Sequence, residues 1–402
     1  MRILMIAPEP FFEPRGTPFS EFHRIRALTA LGHQVDLVTY PFGEDVAMPG
    51  LRVIRALRPP FVTRVKIGPS AAKFPLDALL TLTAFRVGLS GKYDAIHSHE
   101  EGGVIGVVLS WLLRIPHLYD MHSSLPQQLT NFAFTGSSVA RGIVRWFERL
   151  MINQSKVVIV ICPALEDTVR ETAPSANVVL IENAPGSAED QATPEQAAAI
   201  RATHGLAADT PLVLYTGTFE AYQGLEMLID AAVRLAVTHP AARVLIVGGD
   251  PAQVAAAQAL ATSRGATSVI FTGQQPAREI PAFVALAAVL ASPRIRGTNT
   301  PLKIYSYLRS GTPIVATNLL THTQVLSPAV ARLTPPEAAP FAAAIAGLLD
   351  DPAAGRALAE AARALSDARY SREIYLTRTA DACRRLAARG PGGRAAAGAV
   401  AR

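Results

Sequence analysis

The strongest constraint on this chain is a twice-repeated alternation of short apolar runs and longer segments with helical spacing. Arg2–Ala7 is strand-like. Pro18–Leu31 places Phe22, Ile25, Leu28 and Leu31 on one helical face, and Gly32 stands where a helix C-cap belongs. Gln34–Tyr40 is strand-like again, so the chain opens β-loop-α-β, the seed of a parallel sheet. Asp94–His97, His117–Asp120, Lys156–Cys162 and Val178–Ile181 read as further strands. Gly102–Leu113 and a segment ending in Trp146–Asn153 read as helices between them. A second alternation runs through strand Leu212–Thr216, helix Leu225–Val237, and strands Arg243–Val247, Val269–Thr272, Ala288–Ala291 and Pro313–Thr317.

Two such runs predict an α/β protein of two doubly wound, Rossmann-like domains facing a central cleft. The expected units are residues 1–188 and 209–366, joined through the Ala-, Gln-, Thr- and Pro-rich stretch Glu189–Asp209. Residues 367–389 are expected to form a last helix packing back on the first domain, and the Gly/Ala/Arg-rich residues 390–402 a disordered tail. The length of 402 residues, half of them apolar, is ample for two cores. Open α/β sheets bind ligands at the carboxyl ends of their strands near a switch point, so the site is expected in the cleft.

Composition narrows the setting. The longest apolar stretches, Val104–Leu113 and Leu79–Leu89, fall short of the ~20 residues that span a bilayer. The first apolar run breaks at Pro8, with Glu9 and Glu13 following, so no export signal is read. Cys162 and Cys383 are the only cysteines and lack metal-ligand spacing. A reducing, cytoplasmic setting is therefore expected. The net charge is +6, and the excess concentrates in residues 52–92. There Arg52, Arg55, Arg58, Arg64, Lys66, Lys73, Arg86 and Lys92 face a lone acid, Asp77, among apolar residues. Two readings stay open for this segment: peripheral contact with an anionic membrane, or a solvated loop. Nucleic acid is not expected as a partner.

The loops after strands carry the candidate chemistry. Gly16 precedes a helix, where backbone amides favour an anion. His97 and His99 stand at a strand end, but no third or fourth ligand follows at metal-binding spacing, so no metal is expected. Glu100 follows them, and His122 ends the next strand beside Ser123 and Ser124, placed to handle a proton or contact a sugar. In the second half, Gly217 and Thr218 form a tight loop. The segment from Ser292 to Val315 brings Arg294, Arg296 and Lys303 together with Thr298, Asn299 and Thr300 at a loop and helix start. Cations and backbone donors in that place suit a diphosphate. No Asp-x-Asp pair occurs to hold a bridging cation, so counter-charge must come from Arg, Lys and helix dipoles.

The order of several short elements resembles the family-4 glycosyltransferases of the GT-B fold over nearly all of residues 1–370. They are the Gly16 loop, Leu31-Gly-His-Gln-Val, Tyr93-Asp-Ala-Ile-His-Ser-His, Glu182-Asn-Ala-Pro, Thr216-Gly, Gln223-Gly-Leu, Val247-Gly-Gly, Phe271-Thr-Gly and Gly311-Thr-Pro-Ile-Val. Familiar members carry two glutamates eight positions apart, one at the donor sugar and one on the nucleotide ribose; here those positions hold Thr298 and Ser306. Where members carry an arginine and a lysine that clamp the diphosphate, this chain has Thr218 and Gln223. Pro301-Leu-Lys303 matches a subgroup with a Pro-x-Lys element.

The resemblance implies an enzyme moving a sugar, with retention and without a metal or other cofactor, from a nucleoside-diphosphate sugar to a hydroxyl acceptor, glycan or lipid-linked, in cell-envelope polysaccharide synthesis. Lys303 and Arg294 would hold the diphosphate, and Gly16 and Gly217 would approach it by backbone. Gly273, Thr218, Thr298, Thr300 and Ser306 would complete the donor site. His122 would contact the sugar, with Glu100 near the acceptor. The substitutions at Thr298 and Ser306 also leave a non-catalytic binding or scaffold protein open. A sugar-nucleotide epimerase on the same fold would want paired carboxylates in the cleft, and no convincing pair is visible.

Overall fold

The computed structural model describes residues 1–12, 16–63, 65, 73–126, 138–183 and 192–388. The first sheet has seven strands: β1 Arg2–Ala7, β2 Gln34–Thr39, β3 Leu51–Arg55, β4 Ala95–His99, β5 His117–Met121, β6 Val157–Val160 and β7 Val178–Leu180. They lie in the order β3-β2-β1-β4-β5-β6-β7. The second has six: β8 Leu212–Thr216, β9 Arg243–Val247, β10 Val269–Gly273, β11 Val289–Ser292, β12 Ile314–Thr317 and β13 Arg332–Thr334, in the order β10-β9-β8-β11-β12-β13. Neighbouring strands in both sheets are parallel. A parallel sheet is covered by helices on both faces, so its central strands bury every side chain. β4, β5, β8 and β11 do so along their whole length.

Each sheet reverses its strand order once, between β1 and β4 and between β8 and β11. The loops carrying Gly16 and Glu100 leave one switch point, and those carrying Gly217 and Arg294 leave the other. Hydrogen bonds join the halves there: Asn299 Nδ2 donates to the His122 carbonyl at 2.7 Å, and the Ala164 amide donates to Gln324 Oε1 at 2.8 Å.

Three segments differ from the sequence expectation. Among its described residues the segment 52–92, for which a solvated loop is one sequence reading, holds most of β3 and the helix Lys73–Ser90. Their cations are largely spent on local partners. Arg52 pairs with Asp36 at 2.6 Å, Arg55 with Asp45 at 3.0 Å and Lys73 with Glu101 at 2.7 Å, while Arg64 and Lys66 lie outside the described residues. The stretch expected to be a plain connection contains the helix Pro194–Thr203. Thr193 caps it by accepting from the Gln196 amide while the Gln196 side chain accepts from the Thr193 amide. Such a cap is worth about 1 kcal/mol, enough to start a short helix. The last helix does not begin at Asp367. Pro352–Arg369 ends at Tyr370, and Ser371 caps a separate helix, Arg372–Ala387. That helix buries Tyr375, Ala382 and Leu386 against Leu118, Val157 and Ile159 of the first sheet. Residues 390–402 lie outside the described residues.

Candidate active site

At the carboxyl edge of the first sheet, β4 and β5 each deliver a buried polar run. His97 Nε2 lies 3.2 Å from Asp120 Oδ2, and His99 Nδ1 lies 3.0 Å from His122 Nε2. His122 Nε2 is also 3.3 Å from Asp120 Oδ1. The helix Gly16–Ala30 brings Arg24 over the same carboxylate, its Nε donating to Asp120 Oδ2 at 2.8 Å. Both members of that ion pair are almost wholly buried. Burial alone would raise the Asp120 carboxyl, but Arg24, followed by the surrounding histidines, holds it well below the usual range. Burial lowers His97 and His99 and takes His122 to about 4, so all three imidazoles are neutral at pH 7.

Carboxyls crowd the same edge. Burial, then the neighbouring Glu9, pushes Glu21 well above the usual carboxylate range. Glu100 is raised well above it too, by burial and then Glu101 and Glu9, although Ser123 Oγ donates to both its oxygens at 3.1 and 3.0 Å. Glu100 sits at φ 46°, an uncommon backbone for a residue with a Cβ. The raised carboxyl favours the protonated form, the one able to donate a proton.

At the edge of the second sheet the charges are positive. Lys303 opens the helix Leu302–Arg309, and its Nζ donates to the Thr216 carbonyl at 3.0 Å and lies 3.9 Å from the centre of the Tyr215 ring. A Cβ on Gly217 would stand 3.6 Å from that Nζ, so backbone and ammonium converge on one place. Burial pushes the Lys303 amine well below the usual lysine range, and Arg294 adds to the push. Arg294 is itself buried, donating to the Asn299 carbonyl at 2.8 Å and Thr321 Oγ1 at 2.9 Å, with its guanidinium over the Tyr222 ring. It therefore shapes the 294–299 loop as well as charging it.

A pocket of about 290 Å³ opens beside this point, lined by Gly249, Pro251, Val254, Phe271, Thr272, Gly273 and Gln274. Gly248 joins the two places. Its amide donates to the Gly273 carbonyl at 2.9 Å, and at φ 130° a Cβ there would fall 1.8 Å from the Gly217 carbonyl oxygen.

The structure brings some of the sequence-derived candidates together and leaves others apart. Gly217, Thr218, Arg294 and Lys303 come together, the Thr218 carbonyl accepting from Tyr215 OH at 2.7 Å. Gly273 lines the adjoining pocket. Thr298 reaches the interface through its carbonyl, which accepts from Gln324 Nε2 at 2.6 Å, while Asn299 beside it bonds the His122 carbonyl. Thr300 is buried at the start of the Lys303 helix, and Ser306 is exposed one turn beyond Lys303. Gly16 is exposed at its helix N-terminus with nothing within 4 Å of where a Cβ would lie.

Arg24, Glu21 and Asp120 were not singled out from the sequence. Glu21 and Arg24 lie three apart on the same face as the apolar Ile25 and Leu28, and charges on a core-facing stripe are the one local hint. The sequence also offered no third companion for His97 and His99. Asp120 supplies one from the next strand, with ligand-type atoms of all three within 4.8 Å, but Arg24 already compensates its charge.

Comparison with known proteins places the fold in a family. The family described as "Glycosyl transferase 4-like domain" matches residues 23–184, and "Glycosyl transferases group 1" matches residues 196–365. An alpha-D-kanosaminyltransferase of Streptomyces kanamyceticus is 27% identical over 69% of this chain and 73% of its own. A phosphatidyl-myo-inositol mannosyltransferase of Mycobacterium leprae is 26% identical over 81% of each chain. Among solved structures, sucrose-phosphate synthase from Thermosynechococcus elongatus superposes with a TM-score of 0.77 at 22% identity, covering 96% of this chain and 98% of that one. The Anabaena protein HepE in complex with UDP-glucose gives 0.71 at 19% identity, covering 95% and 99%. The chain belongs to the family-4-like glycosyltransferases of the GT-B fold and is a transferase.

Proposed function

We propose that the protein transfers a sugar from a nucleoside-diphosphate sugar to a hydroxyl acceptor, glycan or lipid-linked, with retention at the anomeric carbon and without a metal ion. The observation that carries this is the placement of Lys303 Nζ beneath Gly217, with Arg294 behind it and no carboxylate partner for either among the described residues. A buried Arg294 and a partly buried Lys303, held by carbonyl, hydroxyl and aromatic groups with no carboxylate, have unspent capacity for an anion, and a diphosphate would supply it. Its developing negative charge as the sugar departs would be the main object of stabilisation. The pocket at Gly249, Phe271 and Gly273 adjoins this point and has room for the nucleobase. Ser306 offers the ribose a hydroxyl where relatives of this type carry a glutamate.

On the facing edge, His122 would contact the sugar and Glu100 would lie nearest the acceptor. Closure of the halves 1–188 and 209–366 over the donor would exclude water and limit hydrolysis. The setting proposed is the cytoplasm, at the inner face of the membrane, in assembly of an envelope glycan. No helix among the described residues is long and apolar enough to cross a membrane.

Calorimetry against a panel of nucleoside diphosphates and their sugars tests the reading. One of them should bind, and Lys303→Met should weaken the diphosphate roughly tenfold to a hundredfold while leaving the free nucleoside unchanged. Silence across the panel would favour a scaffold that kept the fold and lost turnover. Activity abolished by EDTA and restored by magnesium would overturn metal independence, and a product of inverted anomeric configuration by NMR would overturn retention.

A further inference from the structure

The helices Lys73–Ser90, Gly102–Leu113 and Ser138–Gln154 lie side by side over one face of the first sheet. Their inner sides fill its core, with Leu76, Leu80, Leu109 and Met151 fully buried. Their outer ridges are apolar as well. Phe74 and Leu82 stand exposed on the first helix, eight residues apart and so on one ridge. Trp111 and Leu112 stand exposed on the second, and Ile143 and Trp146 on the third. The second half of the chain exposes only Val237 and Leu320 among its described large apolar residues. Both tryptophans of the chain are on this one face, exposed by 55% and 60%.

The charges on the face have one sign. Arg86, Arg145 and Arg149 are exposed beside the apolar ridge. The acids of these helices are Asp77 and Glu148, and both are engaged within the fold: Asp77 accepts from Tyr40 OH, and Glu148 from the Leu125 amide at 2.8 Å. The helix Gly102–Leu113 carries no charge at all.

We infer that this three-helix face docks on a lipid bilayer containing anionic headgroups. Arginines flanking an apolar ridge with tryptophans at its rim are what an interfacial surface needs: acyl-chain contact for the ridge, the headgroup level for the indoles and phosphates for the guanidinium groups. A protein partner with an acidic, apolar face is the competing occupant, but two tryptophans with no carboxylate facing out favour the bilayer. Within the basic segment 52–92 this places the contact on the helix Lys73–Ser90 rather than on Arg52 and Arg55, which are paired with Asp36 and Asp45. It would also bring the carboxyl edge of the first sheet near a lipid-linked acceptor. The docking itself does not depend on the donor reading, because it is measured without nucleotide or acceptor.

Tryptophan emission reports directly from the face, since no other indole is present. With vesicles containing phosphatidylglycerol, emission of the full-length protein should shift to shorter wavelength and be quenched by brominated acyl chains; phosphatidylcholine alone should do far less. Arg145→Glu with Arg149→Glu should lower partitioning at least tenfold, from roughly fivefold per cation near an anionic surface. Arg234→Glu with Arg278→Glu, exposed arginines on the second half, should leave partitioning nearly unchanged. Unshifted emission overturns the proposal, as does equal loss from both pairs, which would mean diffuse attraction. A lipid-free dimer by sedimentation, dissociated by Ile143→Asp, would assign the face to a second copy instead. A failure here would leave nucleotide binding intact, and failure of the donor reading would leave vesicle binding intact.

Discussion

Asp120, fully buried, and Lys303, partly buried, both stand at the carboxyl edge of a parallel sheet, and the two halves of the chain treat them in opposite ways. Asp120 is met by a guanidinium at 2.8 Å and an imidazole at 3.2 Å, so its charge is cancelled within the fold. Lys303 is met by a carbonyl and a ring face, with Arg294 nearby to repel it. The charge of the first is balanced by Arg24, although Asp120 Oδ1, His99 Nε2 and His122 Nδ1 are left without a hydrogen-bond partner; the charge of the second would be balanced by an anion. A buried charge therefore marks a binding site here only where its compensation is missing. The largest expected effect follows from this contrast. Asp120→Asn should destabilise the protein by about 3–5 kcal/mol, because it leaves Arg24 buried without a counter-charge. Lys303→Met should leave stability unchanged or raise it, since it removes a cation that is costly to bury. Urea denaturation of both variants measures this. Equal destabilisation would erase the distinction between the halves.

Next in size is Gly248→Ala. A methyl there would fall 1.8 Å from the Gly217 carbonyl oxygen, on a backbone at φ 130°. Backbone strain of this kind costs about 1–3 kcal/mol. The chain relieves it by moving the 217–218 loop, so nucleotide affinity should fall along with stability. Gly16→Ala, with open space at its Cβ, should cost little stability. If Gly248→Ala loses stability but keeps full nucleotide affinity, the loop is not part of the donor site.

Much of this architecture is legible in the sequence, for physical reasons. Central strands such as Leu212–Thr216 are apolar throughout because helices cover both faces, and their helices keep a helical period. β3 was hidden because it is an edge strand: Arg52 and Arg55 reach carboxylates from a half-exposed ladder, so the segment reads as a charge cluster rather than a strand. The break at Tyr370 was hidden in an alanine-rich run where a capping serine is the only punctuation. In the site, Lys303, Arg294 and Gly217 were legible because they lie in glycine- and proline-marked loops after strands. Arg24 and Asp120 were not, since they pair over a separation of 96 residues and neither stands in a marked loop. The protonation state of Lys303 was equally out of reach, because it depends on burial that only the packed structure supplies.

That state makes a further difference between the halves measurable. The folded Lys303 amine is depressed relative to the unfolded chain, so at intermediate pH the unfolded state binds the extra proton and stability rises with pH across that window. A diphosphate reverses the balance by favouring the ammonium. Binding of a nucleotide sugar, whose own phosphates do not titrate near neutrality, should be accompanied by proton uptake and strengthen as pH falls. Calorimetry in buffers of different ionisation enthalpy detects the proton, and Lys303→Met should abolish it.

The smallest effect at neutral pH concerns His322, which bonds Ser292 Oγ at 2.8 Å and is lowered to about 3 by burial. Its folded value lies below its unfolded value of ~6.5, so its contribution is fully present above that pH and is lost as pH falls towards 3. Within that window the group alone steepens the acid-side loss by about 1.4 kcal/mol per pH unit. His322→Asn, which keeps a polar group near Ser292, should flatten the slope by that amount. The same experiment on His97 in the first half is expected to give a smaller change. Its imidazole is lowered by burial but lies 3.2 Å from Asp120, which favours the protonated form, whereas His322 faces Arg294 and Lys303, which oppose it. If the two variants flatten the curve equally, the carboxylate does not offset burial in the first half, and the contrast between its cancelled charges and the open charges of the second fails at the histidines.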